Sequence, residues 1–181
     1  MNASAENTRE TFPDYAKDTQ INAANVLTPE GAPGLTQEQI DGITLASAYA
    51  AKNPDTVRWA LTRSAGRLSS ERIQAAKSAA SIMAMNNVYY RFLHLVEDAD
   101  YKVFPARLRM TVIGNPGIEK TEFELYALAV SAINGCGYCV ASHAKKITLE
   151  RLSKEAVQSA ARIASVVSAV AQTHFIETAG I

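Results

Sequence analysis

The chain has two cysteines, and both fall in one run, Ile133-Asn-Gly-Cys136-Gly-Tyr-Cys139-Val-Ala-Ser-His143. On a helix, cysteines three apart share a face with Cα atoms about 5 Å apart, inside the reach of a disulfide. Gly135 lets the backbone turn into such a helix, so Cys136 is expected in its first turn. There the unpaired N–H groups and the helix dipole favour a thiolate. His143 follows Cys139 by four residues, one turn along the same face, where an imidazole can hydrogen-bond or deprotonate the sulfur. Glu124 precedes the pair on another helical segment, which the Asn134-Gly135 break can fold back against the cysteines. A carboxylate there can orient the imidazole and hold a proton. Activation of one cysteine and its resolution by the other is the chemistry these residues allow.

Each residue also has a structural reading. Cys-x-x-Cys-x-x-x-His offers three zinc ligands, but a closed site needs four, and His94 and His174 stand alone. Two inert buried thiols fit the spacing as well. Thr121-x-x-Glu124 is a capping box in form, which would commit Glu124 to a helix start. Tyr89, Tyr90, Met83 and Met85 read as core side chains, His94 and His174 as ordinary residues, and Lys145-Lys146 as a solvated helix face.

The elements that must position these groups read as helices throughout, an all-α chain. Residues 1–14 look frayed, and a short helix fits residues 15–26. Pro29, Gly31, Pro33 and Gly34 then break the chain. Thr36 with Gln39 forms a capping box for a helix reaching about Asn53, where Pro54 forces a stop. A helix over residues 55–66 follows. Ser69 caps a long one through Met83, and a further segment covers residues 88–96. Asn115-Pro-Gly marks a turn. Helices are then expected over residues 121–133, residues 136–147 and, capped by Ser153, residues 154–175. Leu68-Ser-Ser-Glu-Arg-Ile-Gln-Ala-Ala aligns without a gap on Leu152-Ser-Lys-Glu-Ala-Val-Gln-Ser-Ala. This suggests a two-fold internal repeat of helix–turn–helix–long helix units, with halves at about 36–98 and 121–176 of a single domain over 1–181. In that alignment Asn53 faces Cys136 and Gln39 faces Glu124, so the first half has the scaffold without the chemistry.

Bulk properties narrow the context. With 181 residues the chain can bury a real core. Its 18 Lys and Arg balance 18 Asp and Glu, which gives no electrostatic reason to expect nucleic acid. Residues 1–11 are polar, with no apolar run like that of a secretory signal. No stretch nears the roughly 18 apolar residues of a membrane helix. A cytoplasmic protein is the expectation, and there a cysteine pair stays reduced unless its task is to cycle.

The segment Phe-Glu-Leu-x-x-x-Ala-Val-Ser-Ala-Ile-Asn-Gly-Cys-x-x-Cys-x-x-x-His, ending at His143, resembles the alkyl hydroperoxidase D family of the carboxymuconolactone-decarboxylase-like superfamily. Pro13-Asp-Tyr-Ala-Lys-Asp, Met83-Ala-Met-Asn-Asn-Val-Tyr-Tyr-Arg, Leu108-Arg-Met and Asn115-Pro-Gly-Ile extend the likeness over nearly the whole chain. The resemblance implies an all-helical, internally repeated protomer in a homotrimer that reduces alkyl hydroperoxides and binds no cofactor. It implies electrons from dihydrolipoamide, carried on the lipoyl domain of a 2-oxoacid dehydrogenase component and recharged by lipoamide dehydrogenase. It also implies transfer to a peroxiredoxin, the AhpC component of alkyl hydroperoxide reductase; an adaptor with little peroxidase activity of its own is the alternative. On the family's pattern Cys139 is the peroxidatic cysteine and Cys136 the resolving one, the sulfur expected to take the attack of an incoming dithiol. Glu124 and His143 fall on its proton relay. Some members carry histidine where this chain has Tyr138, and a phenol cannot shuttle protons near neutrality as imidazole does. The decarboxylase branch does not need a CxxC pair, so the intact pair argues against that chemistry.

Overall fold

Segments with apolar residues at helical spacing, punctuated by Pro, Gly and capping residues, fold here into helices alone. The computed structural model describes residues 12–179, and no strand occurs among them. The expected fraying of the first residues lies mostly outside that range. A short 3-10 turn, Asp14–Ala16, leads into α1 (Lys17–Val26). α2 (Gln37–Ala50) starts at the Thr36/Gln39 capping box expected from the sequence, both of its hydrogen bonds being formed. α2 stops three residues short of Asn53, which caps the next helix instead: its side chain accepts from the N–H groups of Asp55 and Thr56. Pro54 sits at the first position of α3 (Pro54–Arg63), where a missing N–H is harmless.

α4 (Ser70–Leu95) is one continuous helix of 26 residues, not the two segments that the sequence suggested. Met83-Ala-Met-Asn-Asn holds no Pro or Gly to break it. Two single turns follow, α5 (Asp100–Val103) and α6 (Thr111–Gly114). α7 (Lys120–Ile133) corrects a second expectation: its N-cap is Glu119, without a side-chain cap bond, so Thr121-x-x-Glu124 is not a capping box. α8 (Gly137–Leu149) and α9 (Lys154–Thr178) complete the chain, and Ser153 caps α9 as expected. The order of lengths 14, 10, 26 in α2–α4 is followed by 14, 13, 25 in α7–α9. Asn53 and Cys136 hold the same place in these series, each capping the middle helix.

α2 and α7 lie at the centre, packed on each other and each against both α4 and α9, while α8 lies on α7 and α4. Their sequences explain the placement. Apolar and small residues occur on all sides of both, the mark of a helix without a solvent face. Ile40, Ile43, Leu45, Phe123, Leu125 and Leu128 are fully enclosed. The charged groups that enter this core are paired. Glu122 accepts from Arg72 Nε at 2.8 Å and from the Tyr126 hydroxyl at 2.5 Å, and Asp41 accepts from Arg67 Nε at 2.6 Å. Burial, reinforced by the Glu122 carboxylate, raises the Tyr126 pKa far above that of an ordinary phenol.

The Tyr126 ring rests directly on Gly42, and a Cβ there would overlap the ring and its hydroxyl. Neither group can give way, because the hydroxyl is tied to Glu122 inside the core. Gly42→Ala is therefore expected to destabilise the protein by about 1–3 kcal/mol through overpacking at the α2–α7 crossing. Urea unfolding followed by circular dichroism checks this; an unchanged midpoint would mean that the two helices separate freely.

Candidate active site

α7 ends in a geometry written by three residues. Gly135 takes φ +68°, its N–H bonds to the Ala132 carbonyl, and the Cys136 N–H reaches back to the Ser131 carbonyl. This is a Schellman turn, with glycine at the left-handed position. The turn is clamped from α4: Asn87 Nδ2 donates to Ser131 Oγ and Asn134 Nδ2 to Asn87 Oδ1, both at 2.9 Å. Arg91 donates to the Asn134 carbonyl at 2.6 Å. α8 thus starts at a fixed point. Its N-cap is Cys136 itself, one position earlier than the first turn expected from sequence, and the Cys136 sulfur accepts from the Cys139 N–H at 3.3 Å. Cys136 and Cys139 are joined as a disulfide with Cα atoms 5.3 Å apart, the separation that their spacing predicts.

His143 stands one turn further along α8, and Nδ1 of its ring lies 2.5 Å from Glu124 Oε2 on α7. Only 8% of the His143 side chain and 12% of the Glu124 side chain remain exposed. Lys146 Nζ donates to the other Glu124 oxygen at 3.0 Å. Burial alone would raise the Glu124 pKa, but its hydrogen bonds to His143 and Lys146 and their charges outweigh that and hold it below the usual carboxylate range. The carboxylate is therefore ionised near neutrality and can only accept, so Nδ1 carries the proton and Nε2 is the nitrogen left for the cavity that His143 lines.

That cavity, of about 190 Å³, has Cys139, His143 and Ser142 in one wall and Met83, Asn86 and Met110 among the others. Cys139 is 5% exposed and Cys136 1%. Of the two cysteines it is Cys139 that lines the cavity, and the one expected to receive an incoming dithiol is the more enclosed. Stacked rings of Tyr90 and Tyr138, centroids 5.8 Å apart, border this cavity and a second of about 270 Å³ that Leu93, His94 and Lys102 complete. A larger depression, of about 600 Å³, is lined by Asn53 and Asp55 among others and has neither cysteine nor histidine in its wall. Among the described residues no group of three or more His, Cys, Asp or Glu is arranged to hold a metal, and no helix is long and apolar enough to cross a membrane.

The four residues singled out by spacing therefore meet, and Glu124 serves His143 rather than a helix cap. Other readings of the sequence need correcting. Lys146 stays half-exposed, as a solvated face requires, yet it also pairs with Glu124; its position three residues after His143, on the same face of α8, was the available signal for that pairing. Met83 and Tyr90 line the cavity, so they are not core alone. His174 is half-buried and bonded to Thr56 Oγ1 at 2.9 Å, away from the cysteines.

A cysteine pair closed at the start of a helix, with an imidazole–carboxylate pair one turn behind it, is a dithiol–disulfide centre. Residues 99–176 match the model of the carboxymuconolactone decarboxylase family. The chain is 47% identical over 169 residues to alkyl hydroperoxide reductase AhpD of Coxiella burnetii, covering 93% of this chain and 96% of that one. It is 48% identical to the AhpD of Rhodospirillum centenum, over 93% and 89% of the two chains. With the AhpD of Gluconacetobacter diazotrophicus it shares 50% identity, over 94% and 92%. The chain belongs to the AhpD family, within the carboxymuconolactone-decarboxylase-like superfamily.

Proposed function

We propose that this protein is an alkyl hydroperoxide reductase that cycles Cys136 and Cys139 between dithiol and disulfide. The observation that carries the reading is that Cys139 and His143, the latter bonded to Glu124, line one small cavity. It is supported by the activity that the relatives' names state. In the reduced protein His143 takes the Cys139 proton and is held as imidazolium by Glu124. The thiolate attacks the hydroperoxide and becomes a sulfenic acid. The Cys136 thiol condenses with it, releasing water and closing the disulfide at a Cα separation that needs no backbone movement. A dithiol then reopens it by exchange through a mixed disulfide, and dihydrolipoamide on a lipoyl domain is the donor that we assign. Attack on Cys136 requires the Asn134-Gly135 turn to loosen, since that sulfur is enclosed at rest.

We further propose a homotrimer, electron delivery to a partner peroxiredoxin, and a cytoplasmic location. Exposed Val88, Phe92, Leu95, Val103 and Phe104, around the end of α4, provide an apolar surface suited to assembly. The test of the reading is hydroperoxide-dependent oxidation of dihydrolipoamide by the purified protein without any peroxiredoxin, beside Cys136→Ser. Turnover in the parent that collapses in the variant is the expected result. Turnover only after a peroxiredoxin is added would make the protein an adaptor; none in either case would reject the reading.

A further inference from the structure

Two adjacent asparagines on α4 face the site and differ in their bonding. Asn87 uses both ends of its amide, donating to Ser131 and accepting from Asn134, and so fixes the turn before Cys136. Asn86 is 4% exposed, borders the cavity with Cys139 and His143, and its Oδ1 finds no hydrogen-bond partner. Asparagine is a poor helix former, and an enclosed carbonyl without a partner is a defect in a core built only for stability. At the wall of a reaction cavity the same group is a receptor. A half-turn about its last torsion exchanges the two ends of the amide, so Asn86 can offer the cavity a carbonyl acceptor or an N–H donor.

We infer that the Asn86 side-chain amide binds the hydroperoxide above Cys139 and stabilises the oxygen that leaves. The inference rests on the peroxidase reading above. In the step concerned, the Cys139 thiolate sulfur bonds to the terminal peroxide oxygen as the O–O bond breaks. The sulfur is oxidised to sulfenic acid, the hydroperoxide is reduced to its alcohol, and the proton held on His143 passes to the alkoxide oxygen. Negative charge grows on that oxygen before the proton arrives. A fixed N–H in an enclosed site is most effective at that moment, since it needs no reorganisation. In the same orientation the carbonyl end can accept from the O–H of the hydroperoxide, so the amide need not turn during the reaction. His143 and Asn86 thus divide the work: the imidazole moves the proton, and the amide holds the substrate to the sulfur. Met83 and Met110 leave the rest of the wall apolar, as an alkyl chain requires.

The test uses Cys136→Ser as the parent, so that oxidation halts at the Cys139 sulfenic acid, with Asn86→Leu and Asn86→Ser made on it. Two rates are measured: sulfenic acid formation with cumene hydroperoxide, trapped by dimedone, and alkylation of Cys139 by iodoacetamide. Leucine keeps the side-chain bulk and serine keeps polarity, so one of them folds even if the other does not, and circular dichroism identifies it. The expected result is an oxidation rate at least about tenfold lower with alkylation within twofold of the parent. An unchanged oxidation rate overturns the inference. So does an equal fall in both rates, which would mean that Asn86 only positions Cys139. If the parent itself formed no sulfenic acid, the peroxidase reading would fail and this one with it, a result distinct from the other two.

Discussion

Cys139→Ser is expected to lower hydroperoxide turnover by about a thousandfold or more, whereas Cys136→Ser is expected to react once. The difference follows from what each sulfur touches. Cys139 faces the cavity and has His143 one turn away; Cys136 is enclosed and sulfur-bonded only to Cys139. A serine hydroxyl at 139 is hardly ionised near neutrality and is a poor nucleophile toward the O–O bond, so the loss resembles that of removing any catalytic nucleophile. At 136 the substitution is gentle. The Cys136 sulfur accepts the Cys139 N–H as an N-cap, and serine is a better cap than a thiol. The lost disulfide closes a loop of only a few residues, which limits its entropic contribution. Cys136→Ser should therefore melt close to the reduced parent and accumulate a Cys139 sulfenic acid that dimedone traps and mass spectrometry locates. Sulfenic acid on Cys136 of the Cys139→Ser protein, formed at the parent rate, would reverse the two roles.

Much of this arrangement was legible from local signals, because most of it is built locally. Thr36, Ser69 and Ser153 each cap a helix through bonds that span three residues, as their sequence patterns indicated. The i, i+3 and i+4 spacing of Cys136, Cys139 and His143 fixed their shared face once α8 was recognised. Tertiary facts were less accessible. Glu124 satisfied a sequence pattern for capping as well as a reading that turned it to the imidazole, and the approach of α8 to α7 decided for the contact with His143. Asn87 takes its partners, Ser131 and Asn134, from far along the chain, so its part in fixing the turn before Cys136 had no local signal. The contact of Gly42 with Tyr126 joins helices that no sequence period relates. Lys146 did carry a local signal: it lies on the same turn face as His143, and a cation there acts on the same carboxylate.

The second large effect is expected at Glu124. Glu124→Gln keeps the shape and an oxygen that can accept from His143 Nδ1, but removes the charge that stabilises the imidazolium formed when Cys139 is deprotonated. It also leaves the Lys146 ammonium facing that imidazolium with no anion between them. Proton transfer that depends on this pair should slow the peroxide step by about 10²- to 10⁴-fold near neutrality. The pH dependence separates an electrostatic role from a structural one. Burial opposes ionisation of Glu124, but His143 and Lys146 together hold its pKa below the unfolded value, near 4.3 for a glutamate. Its contribution to stability is thus complete above that value and is lost as pH falls through the lower folded pKa. The unfolding temperature of the native protein should fall more steeply in that acid window than that of Glu124→Gln. Lys146→Met removes one of the two groups that oppose burial, so the Glu124 pKa rises and the acid limb of peroxide reactivity moves to higher pH. An acid limb identical in the native protein and in Lys146→Met would show that the lysine does not act on the carboxylate, and would leave His143 alone to set its ionisation.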